Sequence, residues 1–166
     1  MSHKIEIKKA KAEDSPEIVQ IRRKGAEDAF GASFALEDKS IFNALVEERA
    51  DPEKLKKDLS DPQKHVFVAI YKGKLAGTSL LAVQDDNSGE LSSTACAVHG
   101  EGIGSALINA RIDLARELGL DRVWLETDTI NPGGMAHASR HGFKEIASRP
   151  GKTVPGNHVI TFEMKL

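Results

Sequence analysis

Residues 91–107, LSSTACAVHGEGIGSAL, constrain the chain more than any other stretch. The first half is uncharged, mostly short in side chain and interspersed with Thr and Ala, which suits a buried strand beside something that needs room. The second half sets glycines at Gly100, Gly102 and Gly104 and runs into an amphipathic helix over 103–118. In that helix Ile103, Leu107, Ala110, Leu114 and Leu118 recur at steps of three and four, and Ile108 and Ile112 widen the face. Alternate glycines permit positive φ and remove the Cβ atoms that block approach to the backbone. The helix start adds unpaired N–H groups and the positive end of the dipole. Strand, glycine turn and helix N-terminus together make a place for phosphate or pyrophosphate. The same pattern also fits a tight connection that holds no ligand. From Gly100 the order is GEGIGS, which is neither GxGxxG nor a Walker loop ending in GK[ST].

The remainder predicts one domain over 1–166. Its first strand alternates Ile5 and Ile7 with Lys4, Glu6 and Lys8. Asp14, Pro16 and Glu17 read as a capping-box helix start. Ile18, Ile21 and Ala26 form the buried side, Arg22, Arg23 and Lys24 the solvated one. The segment FGASF at 30–34 interrupts or ends that helix. A second helical region over 39–59 carries Ile41, Phe42, Leu45 and Val46, and is divided at Asp51-Pro52. Strands at 65–71 and 75–83 flank the hairpin turn Lys72-Gly73-Lys74. A turn at 85–89 leads into the central stretch. Gly119 closes its helix. A strand at 123–127, a short helix at 135–141 opened by NPGG and closed by Gly142, and strands at 143–147 and 158–166 complete the chain, with a connection over 148–157.

Composition narrows the function classes. A net charge of −2 gives no nucleic-acid footprint. No apolar run has membrane-spanning length, and the N-terminus lacks an apolar signal segment. The single cysteine, Cys96, can form no internal disulfide, which fits a reducing compartment. The expectation is a cytoplasmic protein without nucleic-acid or membrane partners.

The succession strand, two helical regions, three strands, helix, strand, short helix, two strands resembles the GCN5-related N-acetyltransferase (GNAT) superfamily over nearly the whole chain. The specific part is 91–143. That family's turn reads Gln or Arg, two residues, Gly, one residue, Gly or Ala; here His99 takes the first place, before Gly100, Glu101, Gly102, Ile103 and Gly104. Its second signature joins a strand to an Asn and a short helix ending in Gly-Phe; here that is WLETDTINPGGMAHASRHGF, with Asn131 and Gly142-Phe143 in place.

The resemblance implies an α/β (α+β) acyl-CoA N-acyltransferase fold: a mixed central sheet whose fourth and fifth strands splay apart. It implies acetyl-CoA, or another short acyl-CoA, as co-substrate, with no metal. The pantetheine arm would lie in the splay on backbone groups of Thr94, Ala95, Cys96 and Val98, helped by the Asn131 amide, because unpaired strand groups suit its amides. The diphosphate would rest on N–H groups of Gly100, Gly102, Ile103, Gly104 and Ser105, with His99 as an anchor. Read without the family, Asn131 is equally a helix cap beside Pro132, and Thr94 and Cys96 are equally strand packing.

Three departures bear on chemistry. His99 replaces Gln or Arg, Glu101 sets a negative charge beside the diphosphate, and Ala138 holds the place of the family's frequent proton-donating tyrosine. Transfer would then proceed by direct attack of an amine, with positioning, an oxyanion contact from a backbone N–H near Val98, and a base. The base candidates are Glu90, Glu126, Asp128, His137 and His141. Glu126 is preferred as pointing to the open side of the sheet, with a solvated or paired carboxylate as the alternative. His137 is expected to face away from the thiol, and His141 to sit at a helix C-terminus. Cys96 reads as a small hydrophobe and not as an acyl carrier.

Acceptor walls are expected from Phe30, Phe34 and Phe42 and from the 148–157 connection, with Glu126 beside the amine. Arg22, Arg23 and Lys152 are candidates to meet an acidic acceptor. The predicted function is an N-acetyltransferase acting on a primary amine of a small molecule, amino acid or peptide. The alternative is an acyl-CoA-binding module with little or no turnover. A homodimer is expected through the edge offered by the last strands.

Overall fold

The computed structural model of the chain describes residues 3–34 and 38–166, the side chains of 32–34 excepted. Seven strands form one sheet: β1 (Ile5–Lys9), β2 (Lys64–Tyr71), β3 (Lys74–Val83), β4 (Ser88–Cys96), β5 (Arg122–Asp128), β6 (Lys144–Pro150) and β7 (His158–Lys165). Their order is β1-β2-β3-β4-β5-β7-β6, and every pairing is antiparallel except β4 with β5. The expected mixed sheet is present.

Alternation on β2 assigns the two faces. Val66 and Val68 join Ile18, Leu55 and Leu80 on one side. Phe67, Ala69 and Tyr71 join Ile103 and Leu107 on the other. Helices α1 (Ser15–Phe34) and α3 (Pro52–Ser60) therefore cover the first face, and α4 (Ile103–Glu117) covers the second. The short helix α5 (Pro132–Arg140) joins α4's layer through Ala138, packed in a core with Leu81, Ile108 and Val123. Helix α2 (Lys39–Arg49) packs Val46 against Ala26 and Phe30 of α1. Ile18, Leu55, Leu81 and Leu107 are wholly buried, each worth about 1.5–3 kcal/mol of transfer free energy.

Several boundaries differ from the sequence reading. A 3-10 turn at Ala12–Asp14 precedes α1, so Asp14 is not the cap; its carboxylate accepts the Lys11 N–H at 2.8 Å. The FGASF segment is the last turn of α1, because Phe30 is a buried anchor of the α1–α2 contact and tertiary packing outweighs the glycine. Asp51-Pro52 divides the second helical region as expected, with the Asp51 carboxylate accepting from Glu53 N at 2.9 Å. Helix α5 begins at Pro132, and β6 runs on to Pro150, which shortens the final connection to 151–157.

Strand β4 is where the sheet opens. Its pairing with β5 comprises Ser88 with Arg122, Gly89 with Val123 and Glu90 with Trp124, and stops there. On its other edge Leu80 pairs with Ser92 and Thr78 with Ala95, so Ser93 and Thr94 together oppose Ser79. Ser93 stands at φ 54°. This bulge bends β4 at the point where it leaves β5. About 20 Å of extended chain separates Glu90 from Cys96, and along it β4 offers one unpaired edge.

Candidate functional site

The open edge of β4 runs from the vertex at Glu90 and Trp124 to the glycine turn before α4. In that turn Gly100 and Gly102 have φ of 79° and 82°, which L side chains adopt only with strain. Gly102 is the N-cap of α4, and no side chain caps that helix start. Its first N–H groups are therefore left to a ligand or water. Gly100, Glu101 and Gly102 are exposed, Ile103 is buried, and Gly104 and Ser105 are half-buried. A Cβ at Gly104 would lie 3.2 Å from the His137 ring, so the missing side chain there makes room for α5.

The side chains around the turn are engaged with one another. His99 Nε2 lies 3.1 Å from Asp28 on α1, whose carboxylate also takes Lys24 at 2.8 Å. Lys24 and then His99 hold the Asp28 carboxyl below its ordinary value. The exposed Glu101 accepts a hydrogen bond from the Tyr71 hydroxyl at 3.2 Å. The only tyrosine of the chain thus stands at the glycine turn, remote from the vertex. Val98 lies past the end of β4, exposed beside the same turn.

Along the gap, Thr94 is exposed, Ala95 is buried beneath α1, where a Cβ on Gly25 would overlap it, and Cys96 is half-buried. Burial pushes the Cys96 thiol up, against the pull of Arg111. A raised thiol is a poor nucleophile, as expected of a packed cysteine. Across the gap, Asn131 caps α5, its side chain accepting from Gly134 N at 3.2 Å.

The α1–α3 face of the vertex carries the acids. Glu90 pairs with Ala82 and Trp124, and Glu126 lies two residues beyond Trp124, so all three point to one face. Glu90 is half-buried; burial first, then Glu126, push its carboxyl up, while Lys64 and Lys54 oppose this. Glu126 is held by Arg149 of β6. The Trp124 indole donates to Ser88 Oγ at 3.1 Å.

On the opposite face, α4 and α5 supply bases. Arg111 is fully buried, and burial pulls its guanidinium down to about 9. His137 packs on Gly104 and on His141, with ring centroids 4.4 Å apart. Burial, then His141, Arg111 and Arg140, pull His137 down to about 4, and its Nε2 is buried without a hydrogen bond. His141 Nδ1 donates to the His137 carbonyl at 2.8 Å, and its Nε2 lies 3.0 Å from Ser105 Oγ. Ala138 is completely buried. The sequence offered His137 as one of five base candidates, expected to face away from the thiol, and assigned Arg111 no role at all. Its recurrence on the Ile103–Leu107 face was the available signal.

The acceptor side is only partly as expected. Phe30 is 1% exposed within the α1–α2 core, with the Arg49 guanidinium 5.0 Å from its ring, so it is not a pocket wall. The side chain of Phe34 lies outside the described residues. Phe42 packs in the Phe30 cluster together with Ile130 and Val154, which brings α1, α2 and both loops to one place. Arg22 is buried against Asp58 at 3.7 Å and not solvated, and Arg23 is paired with Glu47. Neither is available to an acidic acceptor. Lys152 is exposed. Asn157, not anticipated from sequence, fastens the two loops: Oδ1 accepts from Thr129 Oγ1 and Ile130 N, and Nδ2 donates to Asp128 at 2.8 Å.

Comparisons with known proteins agree with this geometry. The profile of the Acetyltransferase (GNAT) family matches residues 32–143. The PaiA N-acetyltransferase of Thermoplasma acidophilum, solved in complex with coenzyme A, superposes with a TM-score of 0.82 at 18% identity, over 98% of this chain and 99% of that one. The ribosomal-protein-S18-alanine N-acetyltransferase of Escherichia coli gives 0.75 at 17%, over 98% and 94%. Nourseothricin acetyltransferase gives 0.58 at 26%, over 63% and 66%. Among the described residues no helix is long and apolar enough to cross a membrane.

Proposed function

The chain belongs to the GNAT acetyltransferase family, whose members use an acyl-CoA as co-substrate, and from that premise we propose that it moves an acetyl group directly from acetyl-CoA to a primary amine. The observation that carries the reading is the early end of the β4–β5 ladder. It leaves strand N–H and C=O groups in want of partners between an uncapped helix start at one end and a pair of carboxylates at the other. The fit to acetyl-CoA is chemical: amides for the strand edge, a diphosphate for the N–H groups of Gly100, Gly102, Ile103, Gly104 and Ser105. Acetyl-CoA supplies the activated acyl carbon.

In this reading β4 from Thr94 to Cys96, with Asn131 opposite, holds the pantetheine. Val98 and His99 serve the phosphate end, because Val98 is too near the glycine turn to reach a carbonyl at the vertex. Glu90 takes the proton from the incoming ammonium, since burial and then the neighbouring Glu126 raise its half-buried carboxyl. The acceptor enters from the α1–α3 face between α2 and the loops tied by Asn157. It is a small-molecule amine or a peptide, and its cationic form suits the two acids better than an acidic metabolite would. The reading extends to one acetyltransferase domain over 1–166, a cytoplasmic protein, and a homodimer through the exposed edge strand β6.

Calorimetry with acetyl-CoA tests the first half, and thiol release over a panel of amines, amino acids and peptides tests the second. Binding with measurable release on at least one amine is expected. Binding without release over the whole panel favours the acyl-CoA-binding module, which the burial of Ala138 in place of a phenol also motivates.

A further inference from the structure

Resting on that reading, we propose that Arg111 is a catalytic residue of the transfer: a buried fixed cation that stabilises the sulfur of CoA as it departs with its negative charge. The residue projects from the third turn of α4, on the stripe that also carries Ile103 and Leu107. Apolar residues occupy the positions before it on that stripe, and a guanidinium there forms no ion pair with any described carboxylate. Its hydrogen bonds go to backbone carbonyls alone. Nε donates to Leu107 O at 3.3 Å, and Nη1 to Leu80 O at 3.3 Å and to Ser92 O at 3.4 Å. Ser92 immediately precedes the bulge residue Ser93, on the stretch of β4 that has just left β5. The Nη2 group donates to none of the described residues.

A buried charge without a counter-ion is costly and persists where something else compensates for it. Three neutral carbonyls at 3.3–3.4 Å compensate weakly. The titratable groups that feel this charge come from the elements on either side of the gap: Cys96 from β4 and His137 from α5, the helix that follows β5. Arg140 and His141 stand behind His137 and add positive or neutral character, not negative. Among the described residues, the α4–α5 side of β4 thus carries a buried cation with no carboxylate paired to it. The opposite face holds Glu90 and Glu126, so the acid pair receives the amine and the guanidinium receives the leaving group.

The step balances without a phenol. Glu90 first passes the proton it took from the ammonium to solvent; the neutral amine nitrogen then bonds to the thioester carbon, its surplus proton passes to Glu90, and the carbon–sulfur bond breaks with its electron pair going to sulfur. The thiolate rests beside Arg111 and takes a proton from solvent on release, while Glu90 returns its own to solvent. Ala138, wholly enclosed, leaves no room for the alternative donor at that position.

Ultraviolet absorbance of the thiolate in the complex with CoA, blanked against the complex with desulfo-CoA, reads this charge effect without turnover. In the wild type the thiolate fraction of bound CoA at neutral pH is expected to exceed that of free CoA by at least about tenfold, and Arg111→Met is expected to abolish the excess. Arg111→Lys retains part of it, because the charge survives and the planar fork does not. A bound thiol that titrates like free CoA in the wild type overturns the proposal whether or not the Met variant folds. So does an undiminished excess in a folded Arg111→Met. If the wild type binds neither CoA nor desulfo-CoA, the acetyl-CoA reading itself fails, and this inference with it.

Discussion

The two ends of the gap between β4 and β5 are built in opposite ways. The glycine-turn end is made of backbone, from one contiguous run of residues, and its chemistry is the presentation of N–H groups. The vertex end is made of side chains brought from β4, β5, β6, α3 and α4, and its chemistry is charge held at partial burial. Backbone construction tolerates variation in side chains, which is why His99 and Glu101 can depart from the usual residues and settle on Asp28 and Tyr71. Side-chain construction tolerates little, because Glu90 owes its basicity to burial and to Glu126. In the proposed function one end recognises a constant handle, and the other does chemistry on a variable partner.

That contrast breaks most sharply at Glu90. Glu90→Gln is expected to lower turnover by roughly 10²-fold or more with CoA affinity unchanged, measured by thiol release beside calorimetry. Glu126→Gln is expected to cost less and to act through its neighbour. With that negative charge removed, the Glu90 carboxyl falls toward its ordinary value, so the acid limb of kcat/KM moves to lower pH. A limb that stays in place detaches Glu126 from the vertex.

At the other end Gly102→Val places a β-branched side chain at φ 82° in the turn. CoA affinity is expected to fall at least tenfold, about 1.4 kcal/mol, while the circular dichroism of the folded protein is retained. Equal affinity in a folded variant moves the diphosphate elsewhere. Ala138→Tyr asks whether a phenol can be restored beside the vertex. The site is sealed, so overfilling of about 1–3 kcal/mol and no gain in turnover are expected from thermal denaturation and steady-state rates. A hundredfold gain in turnover would falsify the view that the leaving group is served from α4.

Smaller still is the pH dependence of the contact between α4 and α5. His137 has its pKa lowered to about 4 in the folded chain, against an ordinary value near 6.5. Between the two values the unfolded chain binds more protons, so the stability gained from the neutral ring is complete above pH ~6.5 and is lost as pH falls toward about 4. Urea denaturation of wild type and His137→Phe across this window is expected to show a shallower slope in the variant. Least of all, Cys96→Ala is expected to leave turnover within a few fold, and an acetylated Cys96 formed at a competent rate in quenched mass spectrometry overturns direct transfer.

The glycine-turn end was legible because its determinants are local. GEGIGS followed by Leu107, Ala110 and Leu114 defines a turn and a helix on any backbone, and period-two alternation places the strands beside it. The vertex was not legible in the same way. That Glu90 meets Glu126 depends on a parallel register of three residue pairs between strands separated by a whole helix. Arg22 looked solvated beside Arg23 and Lys24, yet Asp58 from α3 draws it into the core. Phe30 looked like a pocket wall, and α2 covers it. In each case the deciding partner lies on another element of the fold, beyond what spacing can express.

The parting of β4 and β5 leaves the chain's single tryptophan at a telling place. Trp124 is the last residue of β5 to be hydrogen-bonded to β4, and its indole is tethered to Ser88 across that final rung. Tryptophan emission, excited selectively over Tyr71, is therefore a one-site signal: its colour and quenching report the hinge of the cleft. Acceptor arrival beside Glu90 and Glu126, or any wedge that spreads the two strands, becomes visible in an unlabelled sample. The molecule carries its own gauge.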